Sequence, residues 1–182
     1  DKHPRIDLIA VILSPEDSVF QTALSEKVRV FRVGGASRAE TVRNGVSTLL
    51  EQGLAEAQDN ILVHDAARCC LPAEALTRLL DEAEESNEGG ILAIPVADTL
   101  KRADGSHHID ETVARAGLWQ AQTPQLFQTA LLNRALSVDD LSEITDEASA
   151  VEKLGIRPRL VQGDTRNLKL TLPDRKASCR ER

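Results

Sequence analysis

Ile61-Leu62-Val63-His64-Asp65-Ala66-Ala67-Arg68 is the stretch on which the reading of this chain turns. A short apolar run passes straight into an acid, two small residues and a base. In an open parallel α/β sheet, ligands bind just past the carboxyl ends of the strands, where Asp65 and Arg68 would project. An Asp at such a point can hold a divalent cation through hard oxygen ligands. An Arg can grip phosphate through two parallel hydrogen bonds. Ala66 and Ala67 leave room for a ligand against the backbone. Taken alone, so short a pattern favours a plain surface ion pair behind a strand, so the flanking sequence has to supply the context.

Working outward, the flanks alternate between strand-like and helix-like stretches. Residues 6–13 form an almost continuous apolar run closed by Ser14-Pro15, as expected of a buried parallel strand. Residues 28–33 (VRVFRV) read as a second, more alternating strand, followed by Gly34-Gly35. Ser37 and Glu40 have the spacing of a capping box, and Val42, Val46, Leu49 and Leu50 then share one helical face. Residues 61–63 are the third strand. Pro72 opens a helix with Ala75, Leu76, Leu79 and Leu80 inward. Gly89-Gly90 leads into a fourth strand over 91–96. This alternation is the α/β signature, and it places the four strands as neighbours or near-neighbours in one sheet.

The pattern changes after residue 97. Residues 98–116 are polar, with Gly105 at a turn, and read as a hairpin arm projecting from the sheet. Thr123-Pro124-Gln125 follows, then an expected helix near 126–135. Thr145-Asp146-Glu147 starts another helix with acids at its positive end, and Gly155 stops it. Residues 159–161 and 168–170 read as two last short strands. The organisation expected is one domain over 1–174, with a tail at 175–182 (RKASCRER) that is disordered or non-native. The chain begins at Asp1 and contains no Met, so residue 1 is expected not to be a natural start.

Composition narrows the function classes. Aromatic residues are 2% of the chain, too few for a surface that binds nucleic acid by base stacking. A net charge of -7 argues against broad polyanion binding, so a phosphate ligand needs a local basic cluster. No apolar run approaches the roughly 18 residues that span a bilayer, and no signal peptide is apparent. Cys69, Cys70 and Cys179 make neither a disulfide framework nor a zinc pattern, leaving the cytoplasm as the default compartment. No G-x-G-x-x-G follows a strand, which argues against a dinucleotide dehydrogenase.

Several residues could carry chemistry. Gly34-Gly35-Ala36-Ser37 precedes a helix N-terminus, where the backbone can approach a planar ligand and free N–H groups point outward; a plain loop and cap is the simpler alternative. His107 and His108 are expected in solvent, and His64 is expected to be structural. Lys169 sits between Leu168 and Leu170, either snorkelling from an edge or pointing into a site.

The runs ILVHDAAR, GGILAIPVADTLKR, RAGLWQAQTPQLF, ITDEASAVEKLG and RNLKLT occur in this order. Together they closely resemble the 2-C-methyl-D-erythritol 4-phosphate cytidylyltransferases of the non-mevalonate isoprenoid pathway, over nearly the whole chain. The resemblance implies a three-layer, Rossmann-like nucleotidyltransferase sheet with a β-arm that hooks two subunits into a homodimer. It implies joining of CTP to methylerythritol phosphate with release of pyrophosphate, and a divalent cation, normally Mg2+. By motif, Asp65 matches the metal-holding acid and Arg68 a substrate-binding base. Gly35, Ala36 and Thr41 match positions around the cytosine and ribose. Thr99, Arg115 and Thr123 match positions around the methylerythritol phosphate, with Thr99 and Arg115 reaching the partner's site. Thr145 matches another substrate-side position, and Lys169 a lysine that stabilises phosphate charge.

The sequence departs from this pattern at two places. Cys69 stands where the family usually has Pro. The family's opening Gly-rich segment, with a Pro-Ala-Ala-Gly run and two catalytic bases, has no counterpart within these 182 residues, so residues 1–182 alone are expected to be nearly inactive. The alternatives carried forward are a polyol-phosphate cytidylyltransferase acting on ribitol 5-phosphate, and a non-catalytic nucleotide-binding or dimerisation fragment.

Overall fold

The structure, a computed structural model, describes residues 2–21 and 25–170. The tail at 175–182 therefore lies outside the described residues. Four strands form the main sheet in the order β3 (Asn60–Val63), β7 (Trp119–Gln128), β4 (Gly90–Pro95), β8 (Arg159–Gln162). Successive residues of a strand face opposite sides, and β4 and β7 divide their apolar residues accordingly. Leu92 and Leu126 face α2 (Ala73–Ala83), where they meet Leu79, Leu80 and Val161. Ile91 and Phe127 face α1 (Arg38–Glu51), α3 (Thr129–Leu136) and α4 (Glu147–Glu152), meeting Val46, Leu132, Leu136 and Val151. Helices on both faces of the sheet make three layers.

The expectation of a single sheet holding all four early strands is corrected. β1 (Ile9–Ile12) and β2 (Val28–Phe31) pair in parallel as a separate two-stranded sheet. Among the described residues β1 pairs with β2 alone and β3 with β7 alone. α1 ties β1 to the rest. Gly45 lets the helix lie close on the strand, since a Cβ there would sit 2.9 Å from Ile12 Cγ1. The Ser37–Glu40 pair is half a capping box. Ser37 Oγ accepts the Glu40 N–H at 3.1 Å, while the Glu40 carboxylate takes the N–H of Ala36, not of Ser37, at 3.0 Å.

The helix expected near 126–135 begins only at Thr129, and the residues before it belong to β7, a ten-residue strand antiparallel to both β3 and β4. Its polar residues and Pro124 disguise it, because a proline normally argues against a central strand. The pairing accommodates the missing N–H. It moves from Ile91↔Gln125 to Ala93↔Ala121, so residues 122–124 bulge out of register with β4. Gln122 and Gln125 are buried because their amides are satisfied: Gln122 Nε2 donates to Asp164 O at 2.9 Å, and Gln125 Nε2 donates to Asp146 Oδ2 at 2.9 Å.

The arm is a hairpin as expected: β5 (Leu100–Ala103) against β6 (Ile109–Val113), antiparallel and apart from the main sheet. At its tip the left-handed residue is His107 (φ 63), not Gly105. The Asp104 carboxylate holds the turn by accepting the N–H groups of Ser106 and His108. Residues 168–170 are not a strand. They run without a ladder, pinned by Leu170 N–H to Ala67 O at 3.0 Å, with Leu168 and Leu170 both exposed. No described helix is long and apolar enough to cross a membrane.

Candidate active site

β3 ends at Val63 and delivers His64 and Asp65 to the carboxyl edge of the sheet. A hydrogen-bonded chain then fixes the loop. The Asp65 N–H donates to Thr123 Oγ1 at 3.0 Å, Thr123 Oγ1 lies 3.0 Å from His64 Nδ1, and His64 Nε2 lies 2.9 Å from the Arg68 carbonyl. A carbonyl can only accept, so Nε2 carries the ring proton and Nδ1 accepts from the Thr123 hydroxyl. Desolvation of the ring pushes the His64 pKa below its ordinary value, which favours this neutral tautomer. His64 is structural, as expected, and its structural task is to hold the loop that bears Asp65.

Asp65 is the hub of a cleft of about 190 Å3. Lys169 Nζ reaches Asp65 Oδ2 at 2.8 Å, Arg38 Nε reaches Oδ1 at 2.7 Å, and Arg68 Nε stands 3.9 Å from Oδ2. Lys169 thus turns inward between two outward leucines, which settles the choice between an edge and a site. Burial pushes the Asp65 carboxyl up, but hydrogen bonds and charge from Lys169 and Arg38 outweigh it and hold the group below the usual carboxylate range. Burial lowers the Arg68 pKa. Its Nη1 donates to Asn167 O at 2.6 Å, and its buried Nε has no hydrogen-bond partner.

The cleft draws together Asp65, Arg68, Thr123, Thr145 and Lys169 from among the residues singled out in the sequence. Gly35, Ala36 and Thr41 do not line the cleft; they lie at the start of α1, whose first residue, Arg38, does. The N–H groups of Gly35 and Ala36, expected to be free, are taken: Gly35 N–H donates to Thr41 Oγ1 at 3.0 Å and Ala36 N–H to the Glu40 carboxylate. Thr99 and Arg115 lie exposed at the two ends of the arm and do not line this cleft.

Sequence reasoning missed Arg38, Glu147 and Asp146. Arg38 is the first residue of α1, and its Nη1 and Nη2 form a fork on Glu147, at 2.7 Å to Oε1 and 3.1 Å to Oε2. Burial opposes the Arg38 charge, but Glu147 and Asp65 more than restore it, raising its pKa. A signal was present: a cation in the first turn of a helix works against the macrodipole, so such an Arg requires an anion elsewhere. Glu147 is buried and answers it. Asp146 caps α4, with Oδ1 taking Ser149 N–H and Oδ2 the Gln125 amide.

Arg38, Arg68 and Lys169 meet Asp65 and Asp146 at the cleft, and Glu147 behind it pairs with Arg38, so three cations stand against three carboxylates. Arg68 and Lys169 share the one Asp65 carboxylate with Arg38, and these two bases suit a phosphate ligand. No cluster of three or more His, Cys, Asp or Glu stands ready as a metal cage among the described residues. Asp65 would give Mg2+ one hard oxygen once Lys169 leaves Oδ2, and Mg2+ usually binds through one or two carboxylates, waters and substrate phosphates.

Helices on both faces of a mixed sheet, with a cleft of paired charges at the strand ends, make the Rossmann-like nucleotidyltransferase architecture shared with the solved structures below. The sequence model of IspD, 2-C-methyl-D-erythritol 4-phosphate cytidylyltransferase, matches residues 1–179. The enzyme of that name from Neisseria gonorrhoeae (strain NCCP11945) is 65% identical over 176 residues, covering 95% of this chain and 76% of the relative. The Thiobacillus denitrificans enzyme is 50% identical over 180 residues, covering 94% and 76%. A crystal structure of 4-diphosphocytidyl-2C-methyl-D-erythritol synthase superposes with a TM-score of 0.86 at 64% identity, covering 94% of this chain and 80% of the other. The Francisella tularensis cytidylyltransferase does so at 0.79 with 31% identity, covering 96% and 79%. The chain belongs to the 2-C-methyl-D-erythritol 4-phosphate cytidylyltransferase family, whose members join CTP and methylerythritol phosphate to give CDP-methylerythritol and pyrophosphate in isoprenoid biosynthesis.

Proposed function

We propose that the Asp65 cleft is where this chain carries out cytidylyl transfer, with the residues in the following roles. The single observation that carries the assignment is the meeting of Asp65 with both Lys169 and Arg38, at 2.8 and 2.7 Å, from three distant parts of the chain. In phosphoryl-type transfer the protein does little covalent work, and positioning with charge neutralisation dominates. A phosphate oxygen of methylerythritol phosphate attacks the α-phosphorus of CTP in line, and pyrophosphate leaves.

Asp65 would hold Mg2+, which when bound supplies charge neutralisation on the triphosphate. Lys169 exchanges its contact with Asp65 for the α-phosphate and stabilises charge as the phosphorus becomes five-coordinate. Arg68, whose Nε stands 3.9 Å from Asp65 Oδ2, Thr123 and Thr145 bind on the substrate side. The Gly35–Ala36 backbone and Thr41 flank the cytosine and ribose. Arg38 positions Asp65 and touches no substrate.

The arm is proposed to complete the site of a second copy in a homodimer, bringing Thr99 and Arg115 to the partner's methylerythritol phosphate. Their exposure and their absence from the lining of their own chain's cleft, with the exposure of Ile109 at 67%, support this reading. Mixing an Arg115→Ala chain with a Lys169→Ala chain then restores part of the activity, because some mixed dimers hold one site with both residues intact. Recovery of none, with mixed dimers verified, contradicts sharing.

The test of substrate is pyrophosphate release from CTP with methylerythritol phosphate and with ribitol 5-phosphate side by side. It is run on residues 1–182 and on the same chain preceded by a relative's Gly-rich segment. Turnover with methylerythritol phosphate is expected of the extended chain and little of residues 1–182 alone, and preference for ribitol 5-phosphate overturns the assignment.

A further inference from the structure

Cys69 and Cys70 follow the substrate loop directly, yet the reaction makes no use of them. Both are exposed, and their sulfurs lie 3.8 Å apart, in contact but unbonded. The residue before them is Arg68. Its carbonyl receives His64 Nε2–H, and its guanidinium donates to Asn167 O. A dithiol therefore stands one peptide bond from a base of the cleft and from the hydrogen-bonded chain that steadies Asp65.

We infer that Cys69–Cys70 is a modification site: a vicinal dithiol that a low-molecular-weight disulfide, such as oxidised glutathione, converts reversibly into an intramolecular disulfide, loosening Arg68. One cysteine thiolate attacks a sulfur of oxidised glutathione, forming a mixed disulfide and expelling one glutathione thiolate. The neighbouring cysteine thiolate attacks the protein sulfur of that mixed disulfide, closing the ring and expelling the second. The protein dithiol loses two electrons and two protons, and glutathione disulfide gains both to become two thiols. Exposure gives the oxidant access, and sulfur contact makes the second step intramolecular.

The pair is suited to a reversible mark and not to a permanent staple. Consecutive Cα atoms stand about 3.8 Å apart across a trans peptide, closer than the roughly 4.4–6.8 Å that relaxed disulfides span. Strained and exposed disulfides are the easily reduced, labile ones. Closing the ring turns the 69–70 peptide, and the adjoining anchor that must follow is the Arg68 carbonyl bond to His64. The effect on catalysis rests on the cleft assignment above; the chemistry of the dithiol does not.

The experiment uses Cys179→Ser in whichever of the two chain forms above turns over, treated with oxidised glutathione. Intact mass is expected to fall by two hydrogen atoms, with the peptide containing both cysteines carrying the internal disulfide, and dithiothreitol is expected to reverse it. Turnover should drop several-fold on ring closure and recover on reduction, while Cys69→Ser/Cys70→Ser in the same background ignores the oxidant. Glutathione adducts without ring closure, or no mass change, overturn the modification site. Ring closure with unchanged turnover overturns the link to Arg68. If neither chain form turns over either substrate when reduced, the cleft assignment fails instead, and the mass measurement on residues 1–182 still decides the dithiol.

Discussion

The central strand β4 of the four-stranded sheet and the strand β1 are made of the same kind of residues and are buried very differently. In β4, Gly90 to Ala93 are all buried, with Leu92 and Ala93 at 0% exposure. In β1, the run Ile9–Ile12 is equally apolar, yet all four residues are only half-buried. Apolarity of a segment reports that it can be a strand; burial depends on what covers its faces and pairs its edges. β4 has partners on both sides and helices on both faces, whereas β1 has one partner strand and α1. The site sits where the two regions meet. Asp65 hangs from the main sheet, Arg38 from the helix that lies on β1, and Glu147 locks Arg38 from α4.

This contrast can be broken by mutation. Phe127→Ala on β7 removes a fully buried ring and should cost about 3–5 kcal/mol in urea unfolding. Glu147→Gln weakens the charged fork on Arg38 and should cost roughly 1.5–3 kcal/mol. Val11→Ala on the half-buried β1 should cost only about 1 kcal/mol. If Val11→Ala proves as damaging as Phe127→Ala, the two regions are not unequal in packing. Amide exchange sharpens the same point, since β1 and β2 should exchange well before β4 and β7.

Smaller effects follow from protonation. The folded Asp65 carboxyl lies below its unfolded value, so its ion pairs stabilise fully above about pH 4 and are lost as pH falls through the folded pKa. In Asp65→Asn the urea midpoint should therefore depend less on pH between 5 and 3, pH values chosen around the about 3.9 of a free Asp. His64 is also depressed in the fold, so stability declines as pH drops below about 6.5. His64→Asn should flatten that shallow slope, and an unchanged slope assigns it to another group.

Much of this was legible in the sequence, for physical reasons that differ by residue. β3, β4 and α2 carried strong apolar periodicity, and the arm announced itself by polarity. Asp65, Arg68, Thr123, Thr145 and Lys169 were found through motif resemblance, and the cleft brings them together. β7 was hidden because Gln122, Thr123 and Gln125 bury polar groups whose partners, Asp164, His64 and Asp146, are remote in sequence. Periodicity cannot register such partners. Arg38 escaped for a related reason: its role comes from Glu147, over a hundred residues away. The split into two sheets was not legible because edge pairing is a property of the assembled fold.

The most direct test is pyrophosphate release from CTP and methylerythritol phosphate by Asp65→Asn beside the unaltered protein, in whichever of the two chain forms turns over. Losing one preorganised electrostatic group typically costs on the order of a hundredfold or more. The expected result is a loss of that size, with the folded state retained by circular dichroism. Turnover within a few-fold of the unaltered protein would contradict the placement of the reaction at Asp65.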